Sequence, residues 1–144
     1  KYFADLNSMD KSVFNKRCKD IFDRLNMNTF ANKRIGTLSS GMKQKTSIAR
    51  TIIHDPDIIV FDEPTTGLDV MTSRSIIELI RKSKEEKKTI IFSSHRMEEV
   101  QSLADDIGVI YNGKIIFSGS KVAFESLSDS NSYDDTLINL IDNS

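Results

Sequence analysis

The sequence is short of several things, and each shortage excludes something. It has one cysteine, Cys18, so no intramolecular disulfide can form, and the chain suits a reducing compartment. It has almost no net charge, with 20 basic residues against 21 acidic ones for a formal −1. That balance gives no global pull toward nucleic acid or an anionic membrane. No apolar run approaches the roughly 18 residues of a membrane span, and no signal peptide opens the chain. There is no initiating methionine either: the sequence opens on Lys1, as a piece of a longer protein would. What remains is 144 residues, 38% of them hydrophobic, enough for one domain or a large part of one. Cys18 itself sits at helical spacing among apolar residues and reads as a small hydrophobe, not a reactive thiol.

Apolar periodicity then divides the chain. Val13, Phe14, Cys18, Ile21, Phe22 and Leu25 predict a helix of about four turns. Ile48, Ala49, Ile52 and Ile53 mark a second helix, closed before Pro56. Ile58–Phe61 is a short continuous apolar run, as in a strand buried on both faces of a parallel sheet. Ile76, Ile77 and Ile80 give a third helix, which runs into the charged stretch 82–88, and "TIIFSS" at 89–94 reads as another buried strand. "HRMEEVQSLADD" follows as a helix, with Ser94 as its expected N-cap. Strand–helix–strand alternation argues for an α/β sheet. The tail from about Ser120 is rich in Ser, Asp and Asn, with one apolar cluster from Leu137 to Ile141.

The run "IIVFDEPTTGLD" ends in adjacent carboxylates, Asp62 and Glu63, and such a pair suggests a magnesium ion, an activated water and a phosphate to be attacked. A phosphate cradle must then be found. "GVIYNGKI", 108–115, matches G-x-x-x-x-G-K, but no strand precedes its glycine, Ile115 stands where a hydroxyl should bind magnesium, and no helix follows. Asn112-Gly113 predicts a two-residue hairpin instead, because both positions of a type I′ turn need positive φ. "LSSGMKQK", 38–45, is the second candidate. Its hydroxyls and Gly41 open a predicted helix, where free N–H groups and the dipole favour an anion. Taken alone, the stretch favours the plainer reading, in which Ser39 or Ser40 caps the helix.

"LSSGMKQK", then an apolar strand ending "DEPTTGLD", then "FSSH" at the next strand end, resembles the motif series of ABC-transporter ATPase domains. The likeness covers roughly residues 1–120 and is strongest to ATPase subunits of the sodium-export and drug- or antibiotic-export type. It implies an α/β, three-layer P-loop NTPase fold lacking the Walker A half, with part of the helical signature subdomain. Residues 1–54 would be that subdomain, 55–119 the second half of the ATPase core, and 120–144 a tail helical in part.

In such proteins two ATPase domains pair head to tail, each ATP lying between one domain's Walker A and the other's signature loop. By resemblance Ser39, Ser40 and Gly41 would face the γ-phosphate held by a partner subunit. Two positions depart from the usual L-S-G-G-Q: Ser40 adds a Cβ, and Met42 removes an amide donor. Asp62 would hold Mg2+, Glu63 would orient and deprotonate the attacking water, Asp69 would cross the dimer interface, and His95 would contact the γ-phosphate. His54, the other histidine, reads as a helix-end residue and Gly67 as a turn residue.

The resemblance thus implies ATP and Mg2+ as ligands, a second ATPase subunit and membrane-spanning permease subunits as partners, and a place on the inner face of the cell membrane. Nucleic acid is not an expected partner. An ABC ATPase acting on nucleic acid or ribosomes is the alternative, disfavoured by the near-neutral charge. An interaction module without catalysis is disfavoured by the intact Asp62, Glu63 and His95. Without Walker A the chain alone is expected to be inactive. The family's Walker A strand lies between the strand leading to His95 and the strand around Val109, so its absence predicts unpaired strand edges and self-association.

Overall fold

Pro56 stops one helix, and the four β-formers that follow make a strand. In the computed structural model, which describes residues 1–127 and 132–144, the elements of the first part run α1 (Tyr2–Leu6), α2 (Lys11–Arg24), a 3-10 turn at Ile35–Thr37, α3 (Ser40–Ile52), β1 (Ile58–Phe61), α4 (Val70–Glu85) and β2 (Thr89–Phe92). The second part holds α5 (Met97–Leu103), β3 (Asp106–Tyr111), β4 (Lys114–Ser120), α6 (Lys121–Glu125) and α7 (Tyr133–Asp142). The two parts form separate compact units, Lys1–Ser93 and Ser94–Ser144.

In the first unit β1 and β2 pair in parallel, Ile58 opposite Thr89 and Phe61 opposite Phe92. Parallel neighbours need a crossover, and α4 is that crossover. The sheet differs from the expected one in a telling way. Ile59 and Phe61 are buried, but Ile58, Val60 and Ile91 are 61%, 64% and 57% exposed. Residues alternate across a strand, so one sheet face is packed and the other is bare. Two strands with helices packed on one side cannot bury both faces. Among the described residues neither strand has a second neighbour.

The packed side is a core of α2, α3 and α4. Ile76 of α4 and Leu25 after α2 are fully buried, with Ile21, Ile48 and Leu79 nearly so. Cys18 is half-buried in α2, and burial raises its thiol pKa, which suits an inert side chain. Polar side chains tie the helix ends together. Arg17 of α2 donates from Nε to the Ile53 carbonyl at 2.9 Å and from Nη2 to the Ile52 carbonyl at 3.0 Å, and pairs with Asp55 at 3.1 Å. It thereby satisfies carbonyls that the end of α3 leaves open. Lys88, just before β2, joins Asp55 and Asp57 at 3.2 and 3.3 Å.

The second unit is built on the hairpin. Tyr111 pairs with Lys114 across Asn112 and Gly113, whose φ values are +48° and +74°. The match to G-x-x-x-x-G-K is therefore a β-turn, as its residues predict. Ile107, Phe124 and Tyr133 form the core of this unit, joined by Val100, Phe117 and Leu140. Phe124 meets Phe117 edge-on at 5.4 Å and Tyr133 at 5.2 Å. The tail is helical in part: Ser120 caps α6, Ser132 caps α7, and Asp134 and Asp135 fill the first turn of α7. Residues 128–131 of that tail lie outside the described residues.

Replacing Arg17 with alanine strands two part-buried carbonyls and the Asp55 carboxylate. The change is expected to lower stability by about 1–3 kcal/mol in urea unfolding. Arg17→Lys should recover only part of that loss, since one ammonium cannot reproduce the fork.

Candidate functional site

The carboxylate pair sits where β1 ends. Asp62 is exposed, and its Oδ1 accepts a hydrogen bond from the Ser93 hydroxyl at 2.7 Å. The same Ser93 oxygen accepts the Glu63 N–H at 2.9 Å. One hydroxyl at the end of the neighbouring strand thus fixes both acidic residues. Glu63 is half-buried and its side chain accepts from the Thr66 hydroxyl. Its φ is +46°, in the left-handed region that costs a non-glycine residue about 1–3 kcal/mol. Gly67, four residues on, has φ +71° and makes the turn expected of it.

The donor set can be tested against a divalent cation. Among the described residues no three His, Cys, Asp or Glu side chains gather closely enough to cage one. A single exposed carboxylate instead suits Mg2+, which keeps several waters and takes its other oxygens from substrate phosphates. Asp62 fits that description.

Two helix N-termini of the first unit carry the other residues that the motifs single out. Ser39 is the N-cap of α3, its Oγ accepting the Met42 N–H at 3.3 Å. Ser40 is exposed at the first helical position and Gly41 is buried at the second. Asp69 is the N-cap of α4: Oδ1 accepts the Thr72 N–H at 2.9 Å and Oδ2 the Thr72 hydroxyl at 2.8 Å. Those two hydrogen bonds hold the Asp69 carboxyl below its usual pKa. The helix-cap reading of Ser39 is therefore realised, and Asp69 is a cap as well. Lys45, one turn past Gly41, is buried; desolvation lowers its pKa and the Asp69 charge opposes that shift. Gln44 donates to the Pro64 carbonyl at 3.3 Å, joining α3 to the loop that follows Glu63.

His95 belongs to the second unit and is exposed, two residues before α5. Ser94 is not the N-cap of that helix. Arg96 takes the position without a side-chain cap, while the Ser94 oxygen accepts the Arg96 N–H at 3.1 Å and donates to buried Glu99 at 2.9 Å. Glu99 also pairs with Arg96 at 3.2 Å, and reaching that carboxylate is what draws Ser94 away from a cap. His54 stands just past α3 with its Nδ1 buried. Ser93, Thr66 and Thr72 were not among the residues that motif spacing singles out. A hydroxyl one step beyond a parallel strand, and hydroxyls three residues after acidic ones, are the signals that find them.

A sequence model of the ABC transporter family matches residues 3–66. The chain is 47% identical over 134 residues to the ABC transporter ATP-binding protein NatA of Bacillus subtilis, covering 93% of this chain and 53% of that protein. It is 36% identical over 106 residues to the linearmycin resistance ATP-binding protein LnrL of the same organism, covering 74% of this chain and 34% of that protein. A solved ATP binding subunit of an ABC transporter superposes with a TM-score of 0.86 at 20% identity, over 97% of this chain and 59% of that one, which shows the fold. The chain therefore spans about half the length of NatA.

The Asp69 cap should show as a pH dependence. A carboxyl whose folded pKa lies below its unfolded value, near 3.9, adds stability above that pH, and the gain is lost as pH falls through the folded value. Wild type should exceed Asp69→Asn in urea midpoint at neutral pH, with the gap closing below about pH 4. An equal gap at pH 7 and pH 3 would contradict it.

Proposed function

Because the chain belongs to the ABC transporter ATP-binding family, we propose that it forms part of a subunit that hydrolyses ATP to drive export through separate membrane-spanning permeases. The observation that carries this reading is the placement of Asp62 and Glu63 at one strand end, both anchored by Ser93. Ligands gather at the carboxyl ends of parallel strands, and an acid pair there suits phosphoryl transfer, which needs mostly positioning and charge stabilisation.

In this reading Glu63 is the general base. It takes the proton from the water whose oxygen bonds to the γ-phosphorus as the bridging bond to ADP breaks, leaving ADP and phosphate, while the Thr66 hydroxyl holds one of the Glu63 oxygens. Asp62 holds Mg2+, which when bound supplies charge neutralisation on the phosphates. Ser39, Ser40 and Gly41 present the N-terminus of α3 to the γ-phosphate of ATP carried by a second ATPase subunit, paired head to tail. Asp69 meets that partner from the start of α4, and His95 contacts the γ-phosphate. Residues 1–54 serve as the signature subdomain, 55–119 as the ATPase core and 120–144 as an appended tail. A relative named for Nod factor export favours export as the direction, and one named for linearmycin resistance favours a drug or antibiotic as cargo; sodium is the further cargo that the sequence resemblance implies. No helix among the described residues is long and apolar enough to cross a membrane; in this reading separate permease subunits supply the passage. The subunit would then work on the inner face of the cell membrane. Action on nucleic acid is disfavoured by the net charge of −1.

A subunit-length protein carrying this chain should hydrolyse ATP, and Glu63→Gln should lower kcat by about 10²–10⁴-fold with little change in KM. The 144-residue chain alone should show no turnover, since its sequence holds no Walker A loop. ATP hydrolysis by that chain which Glu63→Gln abolishes would contradict the second statement.

The bare face of the β1–β2 sheet bears on the chain's own association. Ile58, Val60 and Ile91 present an apolar patch beside unpaired strand edges, which favours pairing with another copy. Light scattering at high concentration should find dimers or larger species, and Val60→Lys should return the chain to monomer. A monomeric unsubstituted chain would count against this.

A further inference from the structure

Gly41 is a glycine that its own backbone does not require. It lies at the second position of α3 with ordinary helical geometry, whereas the glycines of positive φ are Gly67 and Gly113. At such a position alanine is the better helix former by up to about 1 kcal/mol. The reason for glycine must be space, and the space is limited by α4 of the same chain. A Cβ at residue 41 would stand 3.0 Å from Thr72 Oγ1, 3.2 Å from Thr72 Cγ2 and 3.5 Å from Asp69 Oδ2.

Thr72 is poorly placed to yield. Its hydroxyl donates to Asp69 Oδ2 at 2.8 Å and its N–H to Oδ1 at 2.9 Å, so rotating the side chain would break a bond of the α4 cap. The residue is buried, and β-branching leaves it few rotamers. Lys45 lies four residues beyond Gly41 on the same face of α3 and is also buried, with Asp69 as the carboxylate that favours its charge. Two helix N-termini therefore meet at van der Waals contact, Gly41 against the Asp69–Thr72 cap.

We infer that Gly41 and Thr72 form an intrachain joint that fixes the start of α3 against the start of α4, with Thr72 as the positioning residue for both loops. The need for glycine at 41 then comes from this chain's own α4, in addition to any close approach by a phosphate. Loop 38–41 and Asp69 keep one relative placement because neither helix can shift without breaking the cap or the contact. The joint stands on the geometry alone; its bearing on turnover rests on the nucleotide reading of those loops given above.

A double-mutant cycle separates the two (Gly41→Ala, Thr72→Ala and both together). Gly41→Ala alone should lower the thermal midpoint of the 144-residue chain by on the order of 5 °C. In the Thr72→Ala background, where Oγ1 and Cγ2 are gone, the same change should cost less than half as much or raise the midpoint. Equal losses in both backgrounds would overturn the joint. Should Gly41→Ala fail to fold, recovery of folding in the double variant supports the joint equally well, and no recovery overturns it.

The second arm measures ATP turnover in a subunit-length protein carrying these substitutions. Gly41→Ala should lower kcat/KM, and adding Thr72→Ala should restore at least part of it. Thr72→Ala alone, which leaves Gly41 in place, should also lower kcat, and full turnover in that variant would overturn the positioning role. Absence of turnover in the unsubstituted subunit would instead refute the nucleotide reading, while the stability cycle still decides the joint.

Discussion

The parallel register of β1 with β2 is the constraint on which the rest of the first unit depends. It is four residues long, closed at one end by the Thr89 N–H on the Asp57 carbonyl at 2.8 Å and at the other by the Ser93 N–H on the Phe61 carbonyl at 2.9 Å. That register decides which hydroxyl stands beside Asp62 and Glu63. A slip of one residue would turn the side chains of β2 to the opposite face and carry Ser93 away from the acid pair. So short a ladder cannot hold its register alone. The crossover helix α4 brings β2 alongside, and Lys88 ties the start of β2 to the end of the preceding strand's loop. Packing of Ile59 and Phe61 then penalises any slip.

Much of this was legible in the sequence, for reasons that differ from element to element. Ile58–Phe61 was readable as a strand because four β-formers follow a proline and lead into two acids. The Asn112-Gly113 hairpin was readable because only a few residue types tolerate two successive positive φ values, and that local chemistry overruled the motif match. Membership of the ABC transporter family was readable from the order of three short motifs.

What escaped was set by tertiary contact. The N-cap of α5 passes from Ser94 to Arg96 because the Ser94 hydroxyl is drawn to buried Glu99, a preference that no local pattern states. One-sided burial of β1 could not be foreseen from an unbroken apolar run, since such a run is blind to what covers each face. Nothing in the apolar periodicity of α2 marks Arg17, yet it closes the end of another helix 35 residues away in sequence. The crowding at Gly41 belongs to the same class: the sequence places a small residue near a hydroxyl motif, and only the fold shows Thr72 beside it.

Glu63 occupies a backbone conformation that glycine would adopt without strain and that a carboxylate-bearing residue adopts at a cost. Selection for folding alone would therefore drift this position toward glycine, and selection for chemistry alone would hold it acidic. A protein released from its catalytic duty should lose the acid here early and gain stability as it does so. On the proposed reading of Glu63 as the general base, position 63 would mark selective history: across a lineage, glutamate retained against its own backbone would record that the reaction is still asked of the subunit.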